Sequence, residues 1–448
     1  MNYKNNFLYG KIPNNWEATT IGSLVKRKFI YPPKDGNHGN IHPKNSDFVT
    51  SGIPFIMASD LKGGKVNLKS CKFIKKEQAD NLQKGFSQKG DVLLSHKATL
   101  GRTAIVQAGY EYIMLTPQVT YYRVKNKKLL SNYYLKYFFD NYKFQKVLSL
   151  YGGGGSTRDY IGITQQQELP IVVPPIEEQQ FIVEPVQALD AKINLLRKQN
   201  QTLENIAQTL FKHWFIDIEF PDKDGKPYKS SGGKMVDSEL GEIPEGWMVE
   251  DFEKTIEFIV DNRGKTPPIS IAGQKLLEGF NIVNGQCFPS FDNEEKQKHV
   301  SVETFGNWFR DGHPKHLDIL CATVGTLPKW CFTPKNSNLC IAQNIVAFRI
   351  DNKISSPYYI KLLFDSHYFR HEFNGRLITA VQPSIKIGHM TSIPIIIPAI
   401  NVIKTFEKIV SGIFEKIENN YSEIQTLTKT RDTLLPKLMS GQIRLKNL

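Results

Sequence analysis

The sequence predicts an α+β protein in which two globular units, in a pseudo-two-fold arrangement, are separated by two long helices that form an antiparallel coiled coil. Three observations support this fold class: two stretches of coiled-coil periodicity, an internal repeat, and mixed strand and helix patterns between those stretches. The predicted boundaries are a first unit at 1–175, a first helix at 176–220, a linker at 221–240, a second unit at 241–398, and a second helix with a C-terminal tail at 399–448.

Each long helix is marked by apolar residues that recur with alternating steps of four and three, the spacing of a coiled-coil seam. One such helix cannot bury its own apolar stripe, and two matched seams in one chain most simply pair with each other. The predicted seams are Ile182, Val186, Leu189, Ile193, Leu196, Asn200, Leu203 and Leu210 in the first helix, and Phe406, Val410, Ile413, Ile417, Asn420, Ile424, Leu427 and Leu434 in the second. The same steps add Ala207, Trp214, Arg431 and Leu438.

Asn200 and Asn420 are polar residues near the middle of these seams. If the helices are antiparallel with flush ends, the two asparagines face each other. A polar pair in an apolar seam fixes the register at some cost in stability, whereas the alternative is that both asparagines only weaken the seam. Each helix would span about 50 Å at 1.5 Å per residue. We therefore expect a rod that holds two globular units apart in inverted orientation.

The chain repeats itself after about half its length. Residues 133–136 (YYLK) match residues 358–361 (YYIK), and residues 10–13 (GKIP) match residues 241–244 (GEIP). These matches lie in the globular units and not in the two long helices. The duplication therefore covers a whole unit together with its helix.

Short apolar runs between glycines and lysines predict strands, and amphipathic patterns predict one helix in each unit. For the first unit the predicted elements are strands at 53–58, 92–95 and 119–124 and a helix at 132–148. For the second unit they are strands near Ile282, Ile319 and Ile345 and a helix at 357–373.

The formal net charge of +13 and the pI of about 9.2 favour a polyanionic partner. Nucleic acid is the commonest such partner, and an anionic membrane surface is the weaker option. No apolar run reaches the length of a membrane span, and the N-terminus lacks a secretory signal. The five cysteines form no CxxC pair, which indicates reduced thiols in a cytoplasmic protein and argues against a zinc or disulfide framework.

Catalytic signatures are missing from the sequence. Residues 264–266 (GKT) resemble the end of a phosphate loop, but Ile259 occupies the place of its first glycine. No Pro-Pro pair follows Asp or Asn, as the amine-holding motif of amino-methyltransferases requires. The glycine run 152–155 does not open a helix, which argues against a methyl-donor loop. We expect neither a catalytic site nor a metal site in this chain.

Basic and hydroxyl side chains cluster in predicted loops beside glycine. Such groups bind phosphates, and Arg, Lys, Ser and Thr also bond base edges in the major groove. The candidate DNA-binding residues of the first unit are Lys62, Lys65, Ser95, His96, Lys97, Thr99, Arg102, Ser156, Thr157 and Arg158. Those of the second unit are Arg263, Lys265, Thr323, Lys329, Arg376, Gln382, Ser384 and Lys386. For each residue alone, a solvated surface loop is the alternative.

Four motifs resemble the DNA-specificity (S) subunit of type I restriction-modification systems. They are residues 434–443 (LLPKLMSGQI), 210–215 (LFKHWF), 174–179 (PPIEEQ) and 241–247 (GEIPEGW). The resemblance implies two target-recognition domains that each read one half of an asymmetric bipartite DNA site. It also implies a rod that sets the spacer. One departure is residues 398–401 (PAIN), which replace the Pro-Pro-acidic start of the second helix.

The resemblance further implies a non-catalytic adaptor. Its expected partners are double-stranded DNA, two methyltransferase subunits, and restriction/translocase subunits held through the assembled complex. It implies no cofactor in this chain, because S-adenosylmethionine, ATP and Mg would be bound by the partner subunits. Three alternatives stay open: a recognition subunit of a methyltransferase-only or type II-like system, a coiled-coil scaffold that does not bind DNA, and a single-chain modification enzyme.

Overall fold

The computed structural model describes residues 3–6 and 10–444, apart from residues 154–159, 263, 265, 292–295 and 379–380. The chain forms two compact units: unit 1 comprises Met1–Asn194 and Thr426–Leu448, and unit 2 comprises Leu195–Gln425. Each long helix thus contributes to both units. Among the described residues, no helix is long and apolar enough to cross a membrane. The α+β fold class is confirmed, with sheets and helices in each unit.

Unit 1 contains two main sheets. One sheet has the strand order Lys34–Asp35, Val119–Tyr122, Val92–Ser95, Thr103–Ile105, Gly64–Val66, Leu61–Lys62. The other has the order Phe86–Ser87, Ile113–Leu115, Ile53–Ile56, Lys72–Ile74, Phe48–Val49. Smaller antiparallel pairs join Tyr3–Asn6 to Gly10–Pro13 and Glu17–Thr20 to Pro170–Val173. The strand predicted at 92–95 is confirmed with the same bounds.

The helices of unit 1, besides its portions of the long helices, are Ile21–Lys26, Lys76–Asp80, Asn132–Asp140, Tyr142–Gly152 and Ile163–Glu168. The third of these packs on the first sheet, against the strands Val92–Ser95 and Thr103–Ile105. The single helix predicted at 132–148 is therefore two helices, and that prediction is wrong in one respect. Asn141 separates them because its backbone is extended and its side chain accepts a hydrogen bond from the Lys143 N–H, which caps the second helix.

Unit 2 repeats this plan with fewer strands. One sheet has the order Ile256–Val260, Ile345–Ile350, Ile319–Ala322, Trp330–Phe332, and another has the order Lys298–Val300, Gln274–Leu277, Leu339–Ile341. Met248–Asp251 pairs with Pro394–Ile397. The helices are Val302–Asn307, Pro357–Asp365, His367–Gly375 and Ile387–Thr391.

Two predictions for unit 2 need correction. Ile282 lies in a bend after the strand Gln274–Leu277, where the buried Asn281 side chain bonds the backbone of Glu278 and Ser290. The helix predicted at 357–373 is broken at Ser366, whose backbone is extended and whose hydroxyl accepts from the Phe369 N–H. In both units a short polar residue therefore ends one helix and caps the next.

The long helices run over Ile176–Phe211 and Ile400–Met439. A π-helical turn, Lys212–Ile216, follows the first helix. Every residue of the two predicted seams is buried or half-buried. Within unit 2, Asn420 Nδ2 donates to Asn200 Oδ1 at 2.7 Å, so the predicted contact of the two asparagines is confirmed.

The helices also meet in antiparallel order within unit 1. Arg431 Nη1 donates to Asp190 Oδ1 at 2.9 Å, and Arg444, beyond the end of the second helix, donates through Nε to Glu178 Oε2 at 2.9 Å. From Glu178 to Asp190 the residue number rises, while that of the partner falls from Arg444 to Arg431, as antiparallel order requires. Arg431 occupies an apolar seam position, and Asp190 neutralises its charge where it is partly withdrawn from water.

The segment 221–240 differs from a plain linker because aromatic residues attach it to unit 2. Phe220 stacks on Tyr228 and on Trp247, with ring centroids 4.6 and 5.2 Å apart. Tyr228 Oη donates to the Lys234 carbonyl at 2.9 Å. Met235–Val236 then pairs with Ile243–Pro244. Most residues of the segment 221–240 are polar, and the ring of Tyr228 attaches the segment to the unit.

Candidate nucleic-acid interface

The first loop of interest, residues 96–102, joins the antiparallel strands Val92–Ser95 and Thr103–Ile105 in unit 1. We call it the first tip loop. Ser95 closes its base: the Ser95 carbonyl accepts from the Gly101 N–H, and its Oγ accepts from the Arg102 N–H, both at 2.9 Å. Ala98 has a φ of 67°, in the left-handed region. The buried Ser95 hydroxyl thus holds the two ends of the loop together.

His96 supports this loop from inside the unit. Its side chain is fully buried, and its Nδ1 lies 2.8 Å from Thr120 Oγ1. Burial lowers the pKa of the imidazole to about 4, so the ring is neutral at ordinary pH. Nε2 has no hydrogen-bond partner among the described residues. Ser95 and His96, two of the predicted DNA-binding residues, are both buried and hold the loop in place.

The exposed residues of the first tip loop carry the groups that can reach a duplex. Thr99 and Arg102 are exposed, and the Arg102 guanidinium donates through Nη1 to the Ala58 carbonyl at 3.2 Å. Lys97 is half-buried, with Nζ 5.7 Å from the ring centroid of Tyr160. Residue patterns did not indicate Tyr160, which is 45% exposed and is bridged to Lys97 through the backbone.

Lys62 and Lys65 lie on a hairpin beside this loop. They are cross-strand partners across the turn Gly63-Gly64, where both glycines have φ in the left-handed region, 58° and 73°. The strand Gly64–Val66 pairs with Thr103–Ile105, which places the hairpin next to the strand that follows Arg102. Both lysines are exposed and have no ion-pair partner among the described residues. Like charges directly opposite each other are destabilising, and an anion placed between them would offset that cost.

The second loop of interest, residues 323–329, joins Ile319–Ala322 to Trp330–Phe332 in unit 2. We call it the second tip loop. Thr323, one of the predicted DNA-binding residues, is 3% exposed. Lys329 is half-buried and donates through Nζ to the Gly279 carbonyl at 3.2 Å. Thr326 is the exposed residue at the middle of the loop.

A backbone pairing beside the second tip loop braces it. Ile378 and Ser384 exchange backbone hydrogen bonds of 2.8 and 3.2 Å. The Gly325 N–H donates to the Pro383 carbonyl at 2.9 Å. Gln382 is exposed, and Ser384 is half-buried. Residues 381–384 and the tip loop together form one surface, which we call the second platform.

The same two backbone hydrogen bonds position both tip loops. In unit 1, the His96 N–H donates to Gln118 and the His96 carbonyl accepts from Ile161. In unit 2, the Thr323 N–H donates to Asn344 and its carbonyl accepts from Ile385. All four N···O distances lie between 2.9 and 3.0 Å. His96 and Thr323 are therefore equivalent positions, a relation that the sequence repeat could have revealed although the residues differ.

The remaining predicted residues are dispersed. Arg376 is half-buried and forms an ion pair with Glu372 on the preceding turn of helix. Lys386 is exposed after the second platform. The predictions for Ser156, Thr157, Arg158, Arg263 and Lys265 lie outside the described residues. No cluster of three or more His, Cys, Asp or Glu side chains in the described part of the chain could hold a metal ion.

Comparison with known proteins finds similarity to one group of DNA-specificity proteins. A model of the family described as "Type I restriction modification DNA specificity domain" matches residues 13–205. The type I restriction enzyme MjaIX specificity subunit of Methanocaldococcus jannaschii is 27% identical, covering 98% of this chain and 96% of that protein. The type I restriction enzyme HindI specificity subunit of Haemophilus influenzae is 24% identical, and the alignment covers 96% of this chain and 100% of that protein. Over nearly its whole length the chain is thus similar to specificity subunits of type I restriction enzymes.

A solved structure of a type I restriction-modification S subunit from M. genitalium is also similar to this chain. It aligns at 14% identity with a TM-score of 0.48, covering 95% of this chain and 97% of that chain. The domain that the family model describes, over residues 13–205, is one of DNA specificity.

A buried lysine forms ion pairs inside each of the two units. Lys136 Nζ lies 2.7 Å from Asp140 and 3.6 Å from Asp190 of the first long helix. The Tyr137 hydroxyl also donates to Asp190, at 2.9 Å. Thr103, at the start of the strand that leaves the first tip loop, donates to Asp140. The charge cluster therefore connects the tip-loop strands of unit 1 to its portion of the long helix.

The equivalent lysine of unit 2 is Lys361, which is 5% exposed and pairs with Asp365 at 2.5 Å. Burial alone would lower the pKa of Lys361, but the Asp365 carboxylate outweighs burial and raises it above the ordinary value. Asp365 also accepts from Trp330 Nε1 at 2.8 Å and from Arg370 at 2.9 Å. Trp330 begins the strand that leaves the second tip loop, so this cluster likewise supports its platform.

Proposed function

We propose that this chain is the specificity subunit of a type I restriction-modification system and reads an asymmetric, bipartite DNA site, with one half-site recognised by each unit. The observation that carries the proposal is the pair of tip loops that share a backbone frame but present different side chains. A shared frame gives both units the same way of approaching a groove. Different side chains give them different base preferences.

Phosphate contacts and base contacts would be made by side chains of different chemistry. Lys62, Lys65 and Arg102 carry charge at the edge of the first tip loop, where they would bind phosphates and fix the position of the unit on the duplex. Thr99 and Thr326, at the exposed loop centres, carry hydroxyls that can bond base edges. Phosphate contacts supply affinity and salt dependence, whereas base contacts supply the sequence preference.

We further propose that the paired long helices set the spacer between the half-sites and carry the methyltransferase subunits, with a restriction subunit joining through the assembled complex. The antiparallel contacts within each unit support this role, because they define the helix register. Protein units that dock in successive major grooves on one face of a duplex lie about 34 to 36 Å apart. A helix pair with one register would hold such a distance constant.

The test is genome-wide mapping of adenine methylation in cells that carry this chain with its methyltransferase, compared with cells that lack the chain. We expect a single motif made of two different specified halves and a fixed unspecified gap, present only with the chain. Methylation that is independent of the chain would contradict the proposal. A motif with one continuous specified block would contradict the assignment of one half-site to each unit.

A further inference from the structure

Val381 and Gln382 stand at the exposed end of the second platform. Val381 has a relative exposure of 108%, so none of its side chain is covered by the fold. Gln382 is exposed as well, and its amide has no hydrogen-bond partner among the described residues. Neither side chain therefore contributes packing or hydrogen bonding to the described part of unit 2.

The backbone that follows these two side chains is anchored by hydrogen bonds. Ser384 exchanges two backbone hydrogen bonds with Ile378, and the Pro383 carbonyl accepts from the Gly325 N–H. Ile385, two residues further, donates to Thr323 and is 4% exposed. Exposed side chains next to an anchored backbone are partly preorganised for a ligand, since less backbone entropy is lost on binding.

Gln382 also lies close to the second tip loop. A Cβ built on Gly325 would be 3.7 Å from Gln382 Nε2, so the amide passes over a glycine whose φ is 109°. The loop therefore presents its backbone beneath the amide without a side chain in between. The exposed Thr326 follows directly in the sequence. An amide donor, an amide acceptor, a hydroxyl and an aliphatic side chain thus share one surface.

We propose that Gln382 and Val381 read an A·T base pair in the half-site recognised by unit 2. A glutamine amide can donate to adenine N7 and accept from adenine N6, a bidentate contact that the other bases do not match. The C5-methyl group of thymine lies in the same groove and is the apolar contact available there to a valine side chain. This inference rests on the proposed function and deepens it by naming the base pair and its readers.

The first test is methylation mapping with three variants. Gln382→Ala should make one A·T position of a single half-site degenerate, while the other half-site and the gap stay unchanged. Gln382→Glu should shift that position toward C·G, because a carboxylate accepts from cytosine N4 and cannot donate to adenine N7. Gln88→Ala, which removes an exposed glutamine of unit 1, serves as the matched control and should leave the motif intact.

The second test measures binding of the full chain to a duplex that carries the mapped site, by fluorescence anisotropy. Replacing the adenine with 7-deazaadenine should weaken binding of the unsubstituted protein roughly 10- to 100-fold and leave binding of Gln382→Ala almost unchanged. Replacing thymine with deoxyuridine, which lacks the methyl group, should likewise affect the unsubstituted protein more than Val381→Ala.

These outcomes separate the inference from the function on which it rests. If the chain directs a bipartite motif but Gln382→Ala and 7-deazaadenine leave the motif and the affinity unchanged, Gln382 is not the reader and the inference fails alone. If no chain-dependent motif exists, the proposed function fails and the inference fails with it. Retention of the first half-site by every variant excludes a loss of folding as the cause.

Discussion

Unit 1 and unit 2 share a buried frame and differ in the parts that face solvent. In both, a lysine on the first of two consecutive helices pairs with an aspartate one turn later, and the same two backbone bonds hold the tip loop. Beside the tip-loop strands, however, unit 1 has the Lys62–Lys65 hairpin. In unit 2 that place is taken by a loop in which the Cys287 carbonyl accepts from the Phe332 N–H at 2.7 Å.

This difference shows how one duplicated plan can carry two different surfaces. The Cys287 N–H donates to Glu204 of the first long helix at 3.3 Å, so the loop of unit 2 turns toward its helix, and burial raises the pKa of Glu204. The hairpin of unit 1 is instead exposed and basic. Buried residues keep the frame common to both units, while insertions at the sheet edge change the surface. Substitutions in the frame should therefore alter stability, and substitutions on the surface should alter DNA recognition.

The largest expected effect is the loss of Asp365. Asp365→Ala leaves Lys361 buried without its paired carboxylate, and breaking a buried pair in this way costs about 3 to 5 kcal/mol. The matched change in unit 1, Asp140→Ala, leaves Lys136 with Asp190, and we expect a cost of about 1 to 3 kcal/mol. Hydrogen exchange of the helices Pro357–Asp365 and Asn132–Asp140 measures both. Equal destabilisation by the two substitutions would contradict the expectation that Asp190 still pairs with Lys136 when Asp140 is lost.

Acid should destabilise unit 1 through His96. Its folded pKa of about 4 lies below the ordinary value near 6.5, so the unfolded chain binds the proton more tightly. The stabilisation is complete above pH 6.5 and is lost as the pH falls through 4, up to about 3 kcal/mol. The charges around the ring are Asp35, which favours protonation, and His38, Lys97 and Lys84, which oppose it.

The check on His96 is the unfolding of the wild type and His96→Gln by urea between pH 7 and 4. The variant should lose less stability over this range, although it begins from a lower value. Thr323 occupies the equivalent position in unit 2 and has no titrating group. Unit 2 is therefore the internal comparison, in which this pH dependence of stability is not expected. An identical pH dependence in the two proteins would show that His96 does not contribute.

Phosphate binding should be stronger in unit 1 than at the corresponding edge of unit 2. Replacing Lys62 and Lys65 by glutamine should weaken binding to all sequences alike and reduce the slope of log affinity against log salt by about 1 for each phosphate that is no longer neutralised. The control is Lys298→Gln, which removes a lysine that forms an ion pair with Glu278 in unit 2. A change of motif in the hairpin variant would mean that the hairpin contacts bases.

The smallest effect on stability is expected at the asparagine pair. Asn200→Leu combined with Asn420→Leu should keep or slightly raise helix stability, because an apolar pair replaces a buried polar one. The expected change is in register, seen as methylation at more than one gap length. A single unchanged gap would indicate that other contacts, such as Arg431 with Asp190, are sufficient.

Periodicity predicted the long helices and their asparagine contact because a seam repeats over many residues and constrains its partner. It did not predict the breaks at Asn141 and Ser366, because capping depends on one short side chain inside an amphipathic pattern. The candidate interface was predicted only in outline. Exposure separates Thr99 from the buried Ser95 and His96, and exposure depends on how the strands pack, which residue type and nearby glycines do not reveal.

Independent reading by the two units is tested most directly by methylation mapping with one tip loop altered at a time. Thr99→Ala with Arg102→Ala in unit 1 should change one half-site, and Thr326→Ala in unit 2 should change the other, with the gap constant in both cases. If either variant changes both half-sites, or if both variants change the same one, the two units do not read the DNA independently.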